Sequence, residues 1–169
     1  MIERQRHSVK PAECAHSIKM RNQRDPHLPG AVLDSSVIVS AFLSGTGASA
    51  EILRLWRQDN AFQVILSDPI FSEVIRVLLE HGIADSLVED FVAALHLLAL
   101  VTDNLYVVRH VAQDPSDDIF LATALEGRAD YIVTLDRHLL NLKQYHGIQI
   151  VRPASFLRYL RTQNRSKDH

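Results

Sequence analysis

Short apolar runs alternate along this chain with longer stretches of helical spacing. Ala31-Val32-Leu33, Phe62 to Leu66, Tyr131 to Thr134 and Ile148 to Val151 are the clearest short runs. Each is too brief to stand as a helix and reads as a buried strand. Tyr106-Val107-Val108 is read as a further short strand. Helices are expected between them, over 35–44, 48–58, from Pro69 to the His81-Gly82 stop, over 85–99, 117–126 and up to Leu142, with a last one from Pro153. Strands alternating with helices specify an α/β protein. Its sheet is mainly parallel and is covered on both faces, giving three α/β/α layers.

Local signals set the ends of these elements. Ser67-Asp68-Pro69 places a cap before an early proline. Gly127 ends the helix before it. The expected core faces carry Ile52, Leu55 and Trp56, then Ile70, Phe71, Val74, Ile75, Leu78 and Leu79. Leu87, Val88, Phe91, Val92, Leu95 and Leu98 follow, and Phe156, Leu157 and Leu160 close the set.

The chain has 169 residues, enough for one domain with a sizeable core. Residues 30–161 are expected to form that domain. Residues 1–29 are a basic extension with few large apolar residues, expected to be disordered. Residues 162–169 are read as a polar tail. The formal net charge of −2 gives no bulk attraction for a polyanion. The one cysteine, Cys14, excludes an internal disulfide framework and a multi-cysteine zinc site. Phe91 to Val101 is the longest apolar stretch and falls short of a membrane span. No secretory leader is evident, so a cytoplasmic location and no membrane association are expected.

Four acids border these core segments. Asp34 ends the first strand, and Asp136 follows the strand at Tyr131. Glu73 and Asp118 lie in stretches of helical apolar spacing. Sites in parallel sheets lie beyond the C-terminal ends of strands, where Asp34 and Asp136 fall. Each acid also has a plainer reading. Asp34 and Asp136 can cap helices. Glu73 can pair with Arg76, three residues on. Asp114, Asp117 and Asp118 can favour a helix dipole. Periodicity alone does not separate Asp117 from Asp118. Two unit charges about 4 Å apart repel by roughly 4 kcal/mol at an effective dielectric of about 20. If the four acids converge they need a cation, and hard oxygen ligands suit Mg²⁺ or Mn²⁺.

Three blocks carry a family resemblance: Val32-Leu33-Asp34-Ser35-Ser36, Asp114 to Ala122, and Tyr131 to Asp136. With these, the chain resembles PIN-domain ribonucleases of the kind found as toxins in toxin–antitoxin pairs. The resemblance runs from about Ala31 to Leu160. It implies that Asp34, Glu73, Asp118 and Asp136 are the catalytic, metal-binding acids, holding one or two Mg²⁺ or Mn²⁺ ions. Asp118 is preferred over Asp117 because the family's acid stands four residues before a small residue such as Ala122. Ser36, Asp117 and Thr134 take supporting roles, with Ser36 where the family often has Asn. The resemblance further implies an RNA substrate, a small antitoxin partner and a homodimer. Arg137 and Lys143 follow Asp136 and are candidates for substrate contact. Alternatives are a catalytically silent PIN-like binding module and a flap-like DNA nuclease. A phosphoryl-receiver domain is disfavoured, because Ile148 to Arg152 holds no lysine.

Overall fold

The computed structural model describes residues 23–109 and 114–167. The chain enters through β1 (Gly30–Leu33), α1 (Ser35–Ser44), α2 (Gly47–Asp59) and β2 (Gln63–Leu66). It continues through α3 (Asp68–Glu80), α4 (Asp85–Leu98) and β3 (Leu100–Val101). After a 3₁₀ turn (Pro115–Asp117) come α5 (Asp118–Glu126), β4 (Tyr131–Val133) and α6 (Arg137–Leu142). β5 (Gln144–Tyr145), β6 (Ile148–Val151) and α7 (Pro153–Lys167) complete it.

The strands form one sheet in the order β3-β2-β1-β4-β6-β5. Every pairing is parallel except β5 with β6. Helices flank the sheet, as the alternation of elements requires, in three α/β/α layers. β1 lies at the centre and all of its residues are buried, as a strand covered on both faces must be. Trp56, Phe62, Phe91 and Phe156 are the largest fully buried side chains. Phe91 of α4 meets Phe42 edge-on at 5.3 Å, and Phe156 of α7 meets Phe62 at 5.0 Å. Such contacts add to plain burial. No single helix among the described residues is long and apolar enough to cross a membrane.

Four expectations need correction. Tyr106-Val107-Val108 is not a strand. The third strand is Leu100–Val101, where Leu100 pairs with Ile65 and enters the core. Leu105, Tyr106 and Val107 stay exposed. Leu79, Leu87 and Leu98 also face outward, because α3 buries only Ile70, Val74 and Leu78 and α4 only Val88, Phe91, Ala94 and Leu95. α7 runs on through Lys167, into the expected tail, because no glycine or proline follows Pro153 to end it. β5 was not foreseen. His146 and Gly147 both have positive φ, which makes the two-residue hairpin turn that brings Gln144–Tyr145 back beside β6.

The N-terminal edge of the sheet is strapped from outside. Residues 1–22 of the basic extension lie outside the described residues, but Arg24 docks on the domain. Its Nη2 donates to Asp130 Oδ2 at 2.6 Å and its Nη1 to the Leu28 carbonyl at 2.6 Å. Further bonds reach the Asp25 carbonyl and Gln63 Oε1. The guanidinium crosses the start of β1 so closely that a Cβ on Gly30 would lie 2.5 Å from Arg24 Nε. A side chain at this position would have to push the guanidinium aside.

Candidate active site

Asp34 sits where β1 hands over to α1. Its N–H donates to the Val133 carbonyl at 2.9 Å, carrying the β1–β4 ladder one residue past the strand. Its carboxylate turns back to cap α1 and is 6% exposed. Two hydroxyls donate to Oδ2, Ser36 Oγ at 2.8 Å and Thr134 Oγ1 at 2.6 Å. Charge-assisted bonds of this kind hold the carboxylate in one orientation.

Hydroxyls also reach two of the other acids. Ser35 Oγ donates to Glu73 Oε1 at 2.9 Å and stands 3.2 Å from Asp34 Oδ1. Glu73 is half-buried on the second turn of α3. Arg76 does not neutralise it, because Arg76 pairs with Glu80 at 2.7 Å on the solvent side. Thr134 Oγ1 accepts the Asp136 N–H at 2.9 Å, and Asp136 Oδ1 accepts the His138 N–H at 2.7 Å. Ser36 Oγ accepts from the Leu135 N–H at 3.2 Å. One hydrogen-bonded chain thus runs from Glu73 through Ser35, Asp34 and Thr134 to Asp136. The helix-cap reading and the cluster reading of Asp34 and Asp136 hold together. Each carboxylate caps a helix with one oxygen and faces the same edge of the sheet.

Asp117 and Asp118 are both buried. Asp117 is the one whose electrostatic setting points into the cluster. Burial pushes its pKa up to about 6, with help from the charges of Asp136, Asp114 and Asp34, while His138 opposes the rise. Its Oδ2 is buried and has no hydrogen-bond partner among the described residues. An orphaned carboxylate oxygen facing other carboxylates is costly unless a cation is supplied. Asp118 makes interactions of its own. Asp117, expected only in support, therefore has as strong a structural claim as Asp118. Periodicity leaves the two acids level, and only the family resemblance ranks Asp118 first; Asp117 sits in the 3₁₀ turn that leads into α5.

Ser35 was also missed. A hydroxyl at the first helical position carries no signal until α3 is known to pass beside it. Arg137 is exposed next to Asp136. Lys143 lies at the far end of α6, six residues or about 9 Å of helix away. The histidines supply no ligand set. No group of three histidine, cysteine or acidic side chains among the described residues stands ready to hold an ion. The acids are neighbours tied through hydroxyls, not a preformed cage.

A family model described as a PIN domain matches residues 30–138. The chain belongs to the PIN domain family. The match spans Asp34, Glu73, Asp117, Asp118, Thr134 and Asp136, and stops short of Lys143. PIN domains are typically nucleases, that is hydrolases, and typically use divalent metal ions. No curated protein matches the chain significantly. The residues of this PIN domain fit such an ion. They offer only hard carboxylate and hydroxyl oxygens, which suit Mg²⁺ or Mn²⁺ over softer metals. The unpartnered Asp117 Oδ2 is the clearest vacant donor.

Proposed function

We propose that this PIN domain is a metal-dependent endoribonuclease that hydrolyses RNA phosphodiester bonds. The observation that carries the reading is the hydroxyl-linked line of carboxylates at the C-terminal sheet edge, with the buried, unpartnered Asp117 oxygen beside it. Asp34, Glu73 and Asp136, with Asp117 or Asp118, would hold one or two Mg²⁺ or Mn²⁺ ions. A bound ion supplies a water of lowered pKa and offsets charge on the phosphate and leaving oxygen.

The protein's own groups prepare that chemistry. Ser35, Ser36 and Thr134 each donate a hydrogen bond to a carboxylate oxygen, which fixes the orientation of the acids. Asp117 holds a proton below about pH 6 and releases it above. Arg137, exposed beside Asp136, is placed to meet a phosphate of the substrate.

The same reading makes the chain the toxin of a toxin–antitoxin pair, acting in the cytoplasm as a homodimer with a small antitoxin protein. It is supported by the PIN family membership and by the motif blocks around Asp34, Asp118 and Asp136. The test is cleavage of total RNA by the purified chain with Mn²⁺, compared with Asp34→Asn and Asp117→Asn. Cleavage is expected from the parent chain only. Equal cleavage by all three would remove the acid cluster from the reaction. Co-expression with any short reading frame found beside the gene is expected to relieve growth arrest.

A further inference from the structure

We propose that the cleft between α1 and α3 receives an unpaired base of the RNA strand next to the phosphate being cut. The proposal rests on the nuclease reading above and extends it to the form of the substrate. Two helix faces build the cleft. On α1, Ser36, Ser40 and Ser44 recur every fourth residue and so lie one above another. On α3, Glu73, Val77 and His81 do the same. Both helices start just past the C-terminal ends of parallel strands and lead away from that edge. Both rows therefore begin at the acid cluster and run about 12 Å from it. Ser35 and Ser36 belong to the cluster and to the cleft alike.

The cleft has a volume of about 720 Å³, within the range of sites that hold small ligands. Its lining includes no lysine, arginine, aspartate or glutamate. It is therefore not built to grip a phosphate. Val39, Leu43 and Val77 offer apolar walls for the face of a ring, while the serine hydroxyls can meet a ring's polar edge. His81 closes the far end. Its Nδ1 lies 2.8 Å from the Val77 carbonyl oxygen, which only accepts, so Nδ1 carries the hydrogen. Nε2 is then left as an acceptor, and the exposed ring as a stacking surface. A nucleotide divides its chemistry in the same way. The charged phosphate goes to the acid end with its cation, and the neutral base goes to the uncharged cleft. A base stacked inside a duplex cannot enter, so the strand must be single at the cut.

The experiment is anisotropy titration of a fluorescein-labelled single-stranded RNA hexamer with the full chain, in Mg²⁺-free buffer containing Ca²⁺. His81→Ala, at an exposed position, is expected to weaken binding at least fivefold. Ser40→Leu, which fills the cleft, is expected to weaken it more than tenfold. The same strand annealed to its complement should bind less tightly. In cleavage assays both variants should raise KM and leave kcat within twofold. Unchanged hexamer affinity in both variants, or failure of the parent chain to bind the hexamer, overturns the proposal. If the hexamer is cut but the variants bind it normally, the cleft reading falls and the nuclease reading stands. If the variants lose binding but the parent cuts no RNA, the reverse holds.

Discussion

Asp130 and Asp34 lie at opposite ends of one sheet and have opposite company. Asp130, before β4, receives Arg24 Nη2 at 2.6 Å and the Gly30 N–H at 2.8 Å. A full positive charge answers it, and the result is a structural tie. Asp34, past β1, receives only hydroxyls and its own cap, and its neighbours are acids. No ion pair forms at Asp34, Glu73, Asp117 or Asp136 among the described residues. The protein thus has a cation for a carboxylate at one edge and withholds it at the other. That contrast separates acids that hold the fold from acids that await an ion.

The largest effect expected from breaking the contrast is on chemistry. Asp34→Asn should lower Mn²⁺-dependent RNA cleavage by about 10³-fold or more, the scale of a lost metal ligand or charge stabiliser. Circular dichroism should report a folded chain, because Asn keeps the cap. Next comes the opposite edge. Arg24→Ala strips the tie to Asp130 and three backbone carbonyls, and should destabilise the fold by about 1–3 kcal/mol in urea melts. Cleavage per folded molecule should not change.

Asp117→Asn should act in the other direction. The folded-state pKa of about 6 lies above the ordinary value, so folding takes up a proton between about pH 4 and 6. Stability linked to this group is full below pH 4 and is lost as pH rises through 6. Two pKa units amount to about 2.7 kcal/mol at most, and screening by nearby solvent trims this to about 1–2 kcal/mol. Metal-free Asp117→Asn should therefore melt higher than the parent at pH 7 and equally at pH 4. It should also gain less in Tm from added Mn²⁺. A parent Tm that does not move between pH 4 and 7 relative to the variant would sink this account. Smallest of all, Arg76→Ala should cost under about 0.5 kcal/mol, since its bond to Glu80 is well exposed.

Much of this was legible in the order of residues. The α/β layering followed from short apolar runs between helical stretches, because a strand buried on both faces leaves no polar alternation to confuse it. Asp34 and Asp136 were found by their place just past such runs. What could not be read depended on contacts made across the fold. Leu100–Val101 was hidden at the end of a long apolar helical stretch, and Tyr106-Val107-Val108 read as the strand in its place. The bridge from Ser35 to Glu73 joins residues 38 apart. The strap from Arg24 to Asp130 joins residues 106 apart, and its anchor lay within a segment whose composition reads as disordered. Asp117 stood behind Asp118 through the family resemblance alone, since periodicity did not separate the two; its electrostatic surroundings come from residues far apart in the chain.

The bond from Thr134 to Asp34 spans 100 residues of chain. A ribosome that has made only the first hundred residues therefore holds a polypeptide with Asp34 and Glu73 but no Asp117, Thr134 or Asp136. Cutting power cannot arise piecemeal during synthesis; it must wait until β4 has emerged and slid in beside β1. An interrupted message yields an inert fragment, and a cell that makes this chain has the whole of that interval to prepare for it.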